Sequence, residues 1–453
     1  PTGAGTQVVT ITGDNSFSGS VSVIGSTLEV AKLSDIGTNS SIGTGSGSSS
    51  IIMNGGALNY TGTTTASTNR PIDLRAGASL RNNSTTSTLS YTAANVIQGG
   101  TASARTLALG GTNSGENTFG SILGDSGTGV NITSLNKIGS GKWILSGANT
   151  YTGTTTINDG TLELSGGAAI ADTAAVALAD IAGVTLKLAA NETIGALSGG
   201  GATGGTVDLQ ANTLTAGNAS DQTLGAVITG TGGLTKQGAG TLTLAGSNSY
   251  SGATDIIAGG LRVNGSLSSA GSVTVQSTAT LSGTGSVGSV TAANGSAISP
   301  GQAGAGTLTM ESLTMGSTAG DTTTIGIGVS GAPGSATPSS KIAVVLPSSL
   351  TANGGVDSVT FAFGSALANI GTGTYDLISY TGDQLLDVDA FTFSGTPGAR
   401  QAVEITNGAS AVQLTVSSAH ILWVGADTNW SAASGNWILS SDSSDTFFQS
   451  NDD

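Results

Sequence analysis

Residues 137–166 read KIGSGKWILSGANTYTGTTTINDGTLELSG, and residues 236–265 read KQGAGTLTLAGSNSYSGATDIIAGGLRVNG. The two align without a gap and agree at 13 of 30 positions. A weaker copy runs from Val8 to Val30. There Gly13, Asn15, Phe17, Gly19, Val23, Leu28 and Val30 stand where the second copy has Gly147, Asn149, Tyr151, Gly153, Ile157, Leu162 and Leu164. The grammar is constant: a β-run, a Gly–Asn turn, an aromatic, a Gly, a second β-run, a Gly turn and a third β-run. In Thr241-Leu242-Thr243-Leu244 the apolar residues alternate with Thr, so one face of the strand is buried and the other wetted. Three short strands in 25–30 residues make one or two rungs of a solenoid, because a single rung cannot bury its apolar face and a stack of rungs can. Glycine supplies positive φ at corners, and stacked Asn side chains can form ladders at equivalent corners. Asn15, Asn149 and Asn248, with Gly153 and Gly252 after them, are therefore the expected corner residues.

Composition agrees. The chain has 453 residues, 73 Gly, no Cys and 9% charged residues, against roughly 25% charge and about 7% Gly in ordinary globular proteins. Hydrophobic residues at 37% supply a core, and only 7 residues are Pro, unlike a charge-rich disordered chain. Short runs bounded by Gly, Asn, Asp or Ser recur throughout and read as strands. Ala168–Ala182 is the one stretch that invites a helix, within β-like surroundings. The net charge is −15 and Lys and Arg total 12 without clustering, so nucleic-acid binding is not expected. No apolar run reaches the ~18–20 residues of a membrane helix.

The segments KIGSGKWILSGANTYTGTTTINDGTLEL and GGLTKQGAGTLTLAGSNSYSGATDIIAGGLRV resemble autotransporter-associated β-strand repeats, also called passenger-associated transport repeats. IGALSGGGATGGTVDLQANTLTAG resembles the lead-in to such repeats, and AISPGQAGAGTLTM (297–310) the Pro-Gly segment that follows them. The resemblance implies a right-handed parallel β-helix in a bacterial protein exported to the cell surface or beyond, and it implies no single activity.

Three regions are expected: β-helix repeats over 1–315, a β-rich cap or sandwich-like region (or broader terminal rungs) over 316–420, and a Trp-containing segment over 421–453. Residues 316–453 are too few and too Gly/Ser-rich for the membrane β-barrel that closes many such proteins. Trp423, Trp430 and Trp437 recur every seven residues and are candidates for assembly, since this segment resembles one that opens a fresh repeat block. The expected function is an extracellular structural protein assembling head-to-tail, as heterologous contacts do, into a fibre, sheath or surface layer. The alternative is a monomeric adhesin or carbohydrate-binding passenger with surface glycans as partners.

Little points to catalysis, and no enzyme is expected. His420 is the single His and lies in no nucleophile-elbow context. GTGSVG at 283–288 matches a phosphate-loop pattern, but no helix follows it. Asp172 and Asp180, or Asp442 and Asp445, lack a basic partner nearby in sequence and read as solvated turn residues. One His and no Cys leave no zinc site. Asp427, Asp442, Asp445, Asp452 and Asp453 carry oxygens suited to calcium, yet show no EF-hand or nonapeptide spacing. No cofactor is therefore expected. Trp143, Tyr151 and Tyr250 either form an exposed carbohydrate-binding strip or, as favoured here, stack inside at equivalent rung positions.

Overall fold

The alternation in the short runs becomes alternation in burial. In Thr241–Leu244 the side chains of Leu242 and Leu244 are buried and those of Thr241 and Thr243 half-exposed. The computed structural model describes residues 7–423, except 48, 102, 303, 333, 348, 383–386, 399–400 and 419, together with 437–440. Among the described residues there is no α-helix, only short strands and two 3₁₀ turns. Ala168–Ala182 contains turns and the strand Val176–Leu178. The chain divides into two compact units, Pro1–Gly271 and Ser272–Asp453.

In the first unit nearly every strand pairs in parallel with the strand one turn further along the chain. One face stacks Val8–Ile11, Thr27–Val30, Ala57–Tyr60, Ala78–Asn82, Arg105–Gly111, Thr133–Lys137, Thr155–Ile157 and Val176–Leu178 in that order. It continues through Leu197–Gly199, Gln222–Leu224, Thr241–Leu244 and Gly260–Val263. A second face stacks Ala66–Thr68, Leu89–Tyr91, Asn117–Phe119, Lys142–Leu145, Thr161–Leu164, Thr185–Leu188, Thr206–Asp208 and Val227–Thr229. A third is built early from Val21–Ile24, Ile51–Asn54 and Ile72–Leu74. Later rungs close it with Glu192–Ile194, Leu214–Ala216, Leu234–Lys236 and Thr254–Ile256. This is a parallel β-helix.

Register makes the core. Inward residues at one strand position lie over one another, as in Trp143–Leu162–Leu186–Val207–Ile228 and Leu145–Leu164–Leu188. All of them are buried. Burying such a side chain fully stabilises by roughly 1.5–3 kcal/mol relative to leaving it exposed.

The three repeat copies share one geometry. The first and last strands of each copy stack directly: Val8 pairs with Thr27, Lys142 with Thr161 and Thr241 with Gly260, nineteen residues on in every case. The middle strand lies on an adjacent face. Yet the copies use different faces. The outer strands of the second copy lie on the second face and its middle strand on the first, whereas the outer strands of the third copy lie on the first face and its middle strand on the third. The motif therefore encodes one turn of the helix and not a fixed face of it.

The second unit begins with the same parallel stacking. Thr280–Gly283, Ser296–Pro300, Thr323–Gly326, Val359–Ala362 and Phe391–Ser394 form one ladder. Val273–Val275, Ser286–Ala292, Gly306–Met315, Ser340–Val344 and Gly373–Tyr380 form another. Its later rungs are wider: Thr323 pairs with Val359, thirty-six residues on. Phe361 and Phe391 stack with centroids 5.8 Å apart. The second ladder then changes sense. Ala411–Ser418 pairs antiparallel to Gly373–Tyr380, and Gln401–Asn407 antiparallel to Ala411–Ser418. The second ladder thus ends, among the described residues, in an antiparallel sheet beside the wide parallel rungs.

Candidate functional site

The features that recur from copy to copy are corners, so the candidate site is a corner. In the second copy Asn149 touches three levels of the stack. Its side-chain oxygen accepts from Leu123 N–H at 2.7 Å, and its amide donates to Gly147 O at 2.9 Å and Ala169 O at 2.7 Å. Asn248 repeats this with Ile228 N–H at 2.9 Å, Gly246 O at 2.9 Å and Ser266 O at 3.1 Å. Asn15 donates to Ser41 O at 2.9 Å and Gly13 O at 3.4 Å. These side chains satisfy backbone groups that a turn leaves without strand partners. They are clamps between rungs.

Gly153 and Gly252 sit two residues after the corner aromatic, and neither is held at positive φ. Close approach is what requires glycine there: a Cβ would stand 2.3 Å from Thr133 O at Gly153 and 2.3 Å from Gly232 O at Gly252. The expected positive φ falls instead at Gly160 and Gly259, at +64° and +63°, in the turn before the last strand of each copy.

Trp143, Tyr151 and Tyr250 are buried, so they form no exposed strip. Trp143 stacks on Tyr91, with centroids 6.2 Å apart and planes at 19°, and donates its indole N–H to Gly110 O at 2.8 Å. Its partner is thus an aromatic of another rung, not Tyr151 or Tyr250. Each of those two tyrosines places its hydroxyl 2.6 Å from a Thr hydroxyl, Thr155 and Thr254 respectively. Burial pushes both phenols up, Tyr250 to about 12.

Sequence reading missed the buried cations. Arg70, Arg105, Lys137 and Lys236 are buried, and each is bonded mainly to backbone carbonyls. Arg70 reaches Ile42 O and Gly19 O. Arg105 reaches the carbonyls of Leu74, Gly99 and Thr101 and the side chain of Gln98. Lys137 and Lys236 each have three carbonyl partners. A signal was present: both lysines open their copies, and each follows an inward leucine (Leu135, Leu234) by two residues. They therefore lie in inward register, stacked with Ile157 and Ile256.

Outward residues make a charged ribbon on the second face. Lys142 bonds Glu116 at 2.6 Å and Glu163 at 2.9 Å, and Lys187 bonds Glu163 at 3.1 Å. Burial acts to raise the Glu163 carboxyl, but the two lysines outweigh it and hold it below the usual range. Asp180 accepts N–H bonds from Thr203 and Gly204, each at 2.8 Å, and so acts as a loop staple. Asp172 lies near Glu192, a buried carboxyl pushed up mainly by desolvation while Ile170 and Ala169 N–H groups pull it down. A shallow groove of about 340 Å³ crosses the first face between Gly25 and Ile138, lined by small residues and Arg81. Among the described residues no three His, Cys, Asp or Glu side chains cluster as metal ligands, and no helix is long and apolar enough to cross a membrane.

Trp423 and Trp437 are backbone partners in the register of the antiparallel pair His420–Trp423 and Trp437–Ser440. Trp430, Asp427, Asp442, Asp445, Asp452 and Asp453 lie outside the described residues. The 283–288 pattern spans two strands, Thr280–Gly283 and Ser286–Ala292.

Comparison with known proteins meets this geometry at the same segments. Residues 2–30, 135–164 and 234–263 match the passenger-associated-transport-repeat. The chain carries passenger-associated transport repeats. These repeats coincide with the three copies whose outer strands stack nineteen residues apart. An adhesin, the BmaC autotransporter of Brucella suis biovar 1 (strain 1330), is 33% identical over 261 residues, which is 57% of this chain and 6% of that protein. An extracellular serine protease of Serratia marcescens is 48% identical over 81 residues, 18% of this chain and 8% of that protein. The chain thus spans less than a tenth of either relative. With its repeats, it is a bacterial protein of the cell surface or the extracellular space.

Proposed function

We propose that this chain is a structural shaft of a bacterial surface or extracellular protein, and that it lengthens by stacking one copy on another. Its role is mechanical, not catalytic. One observation carries the assembly reading: the three copies stack their outer strands at the same nineteen-residue spacing, so a rung of one chain has the register to pair with a rung of another. The contact is heterologous, so it builds an open filament.

Electron microscopy and sedimentation of the full chain at rising concentration test this. The expected result is concentration-dependent filaments. A chain that stays monomeric at every concentration contradicts it.

A second reading has its own support. The resemblance to an adhesin over 57% of this chain favours a monomeric shaft that presents a binding face to host or glycan surfaces. Binding on a glycan array by monomeric protein would establish that reading in place of the first.

A further inference from the structure

The lysine sites of the second and third copies match atom for atom. Lys137 Nζ donates to Ile138 O at 3.2 Å, Gly139 O at 2.6 Å and Asp159 O at 2.8 Å. Lys236 Nζ donates to Gln237 O at 2.8 Å, Gly238 O at 2.8 Å and Ala258 O at 3.0 Å. The acceptors lie one, two and twenty-two residues on in both cases. An ammonium has three donors and no acceptor, so each site saturates it. Two acceptors belong to the turn that follows the lysine's own strand, and the third belongs to the rung above. Neither lysine forms a salt bridge among the described residues.

The side-chain stems stack with Ile157 and Ile256 in the core, and the turn glycines Gly139 and Gly238 both hold φ near +70°, which turns their carbonyls toward the ammonium. A buried charge of this kind is costly unless paired or hydrogen-bonded. Burial pushes Lys137 down to about 8 while Asp159 pulls it up. Lys236 is likewise lowered by burial, against Asp221. The ammonium is therefore the form of Lys137 present at neutral pH.

We propose that the two corners are binding sites for a primary ammonium, each occupied by the side chain of its own lysine, and that this internal cation bolts one rung to the next. The cation and its three donors do the work, and the bulk of the side chain does not. A site of this kind can be emptied and refilled. Lys137→Ala removes three methylenes and the ammonium and so leaves a buried void the length of a propyl chain beside three carbonyl oxygens, and Lys236→Ala does the same in the other copy.

The test is chemical rescue of the full-length chain, read as the melting midpoint of each variant against added n-propylammonium chloride. Tetramethylammonium chloride, which has no N–H donor, controls for ionic strength and bulk. The expected result is a lowered midpoint in each variant, at least half restored by n-propylammonium and untouched by tetramethylammonium, with the wild-type chain unmoved by either. Equal shifts in wild type and variants, or no restoration in either variant, overturn the proposal. Lys137→Met, which keeps length and bulk but has no donor, guards against a variant that does not fold: it must melt well below wild type, and a wild-type midpoint would also overturn the proposal.

Discussion

The first repeat copy and the later two carry one grammar in two environments. In residues 137–166 and 236–265 the first strand is covered on both sides, and Trp143, Leu145, Leu242 and Leu244 are buried. In residues 8–30 the equivalent strand has one neighbour among the described residues, and Val8 and Val9 stand more than half exposed. Its third strand, one rung further in, is already sealed, with Leu28 8% and Val30 0% exposed. The motif specifies spacing, corners and register. The core comes from the rung above and the rung below, as expected when each repeat contacts only its neighbours.

That contrast can be broken at matched positions. The largest effect is expected at the aromatics. Trp143→Ala and Tyr250→Ala should each cost about 3–5 kcal/mol, the range for buried aromatics, while Phe17→Ala, at 47% exposure, should cost less than about 1 kcal/mol by the same scale. Denaturant melts of the three variants give the answer. Equal losses would mean that Phe17 is covered in solution.

Next come the glycines. Gly153→Ala and Gly252→Ala drive a methyl to 2.3 Å from a carbonyl oxygen, whereas a Cβ at the matching Gly19 meets nothing within 4 Å. Overpacking of this kind typically costs about 1–3 kcal/mol. Gly19→Ala should leave the midpoint in place.

The corner asparagines follow. Asn149→Ala leaves the buried Leu123 N–H without its acceptor, and Asn248→Ala does the same to Ile228. A buried donor left unpaired costs about 1–3 kcal/mol. Asn15→Ala should cost less, because the bonds of Asn15 are donated to Ser41 and Gly13 at a partly exposed corner.

The smallest effect is one of pH. The Glu192 carboxyl is raised by burial, so the folded chain binds this proton more tightly than the unfolded chain does. Its contribution is fully present below the ordinary carboxylate pKa and is lost as pH rises through the higher folded value. Glu192→Gln should flatten the fall in melting midpoint on the alkaline side of the ordinary carboxylate range. An unchanged pH profile would remove Glu192 as its source.

Much of this was legible in the residues. Alternation located the strands, and the gapless alignment located the repeats. Three things were not legible. The face that a copy occupies depends on how many residues the preceding rungs use, and the repeat itself holds no trace of that. Gly153 and Gly252 read as flexible turn residues because sequence shows neither φ nor the carbonyl of the rung below. Lys137 and Lys236 drew no notice because hydropathy takes a lysine to be outward. Their inward register follows only from counting two residues on from Leu135 and Leu234.

The central claim is that neighbouring rungs, and not the motif alone, close the core. Hydrogen–deuterium exchange of the full chain at low concentration tests it most directly, on the matched strands Val8–Ile11, Lys142–Leu145 and Thr241–Leu244. The account predicts fast exchange in Val8–Ile11 and strong, similar protection in the other two. Equal protection in all three under dilute conditions would contradict it.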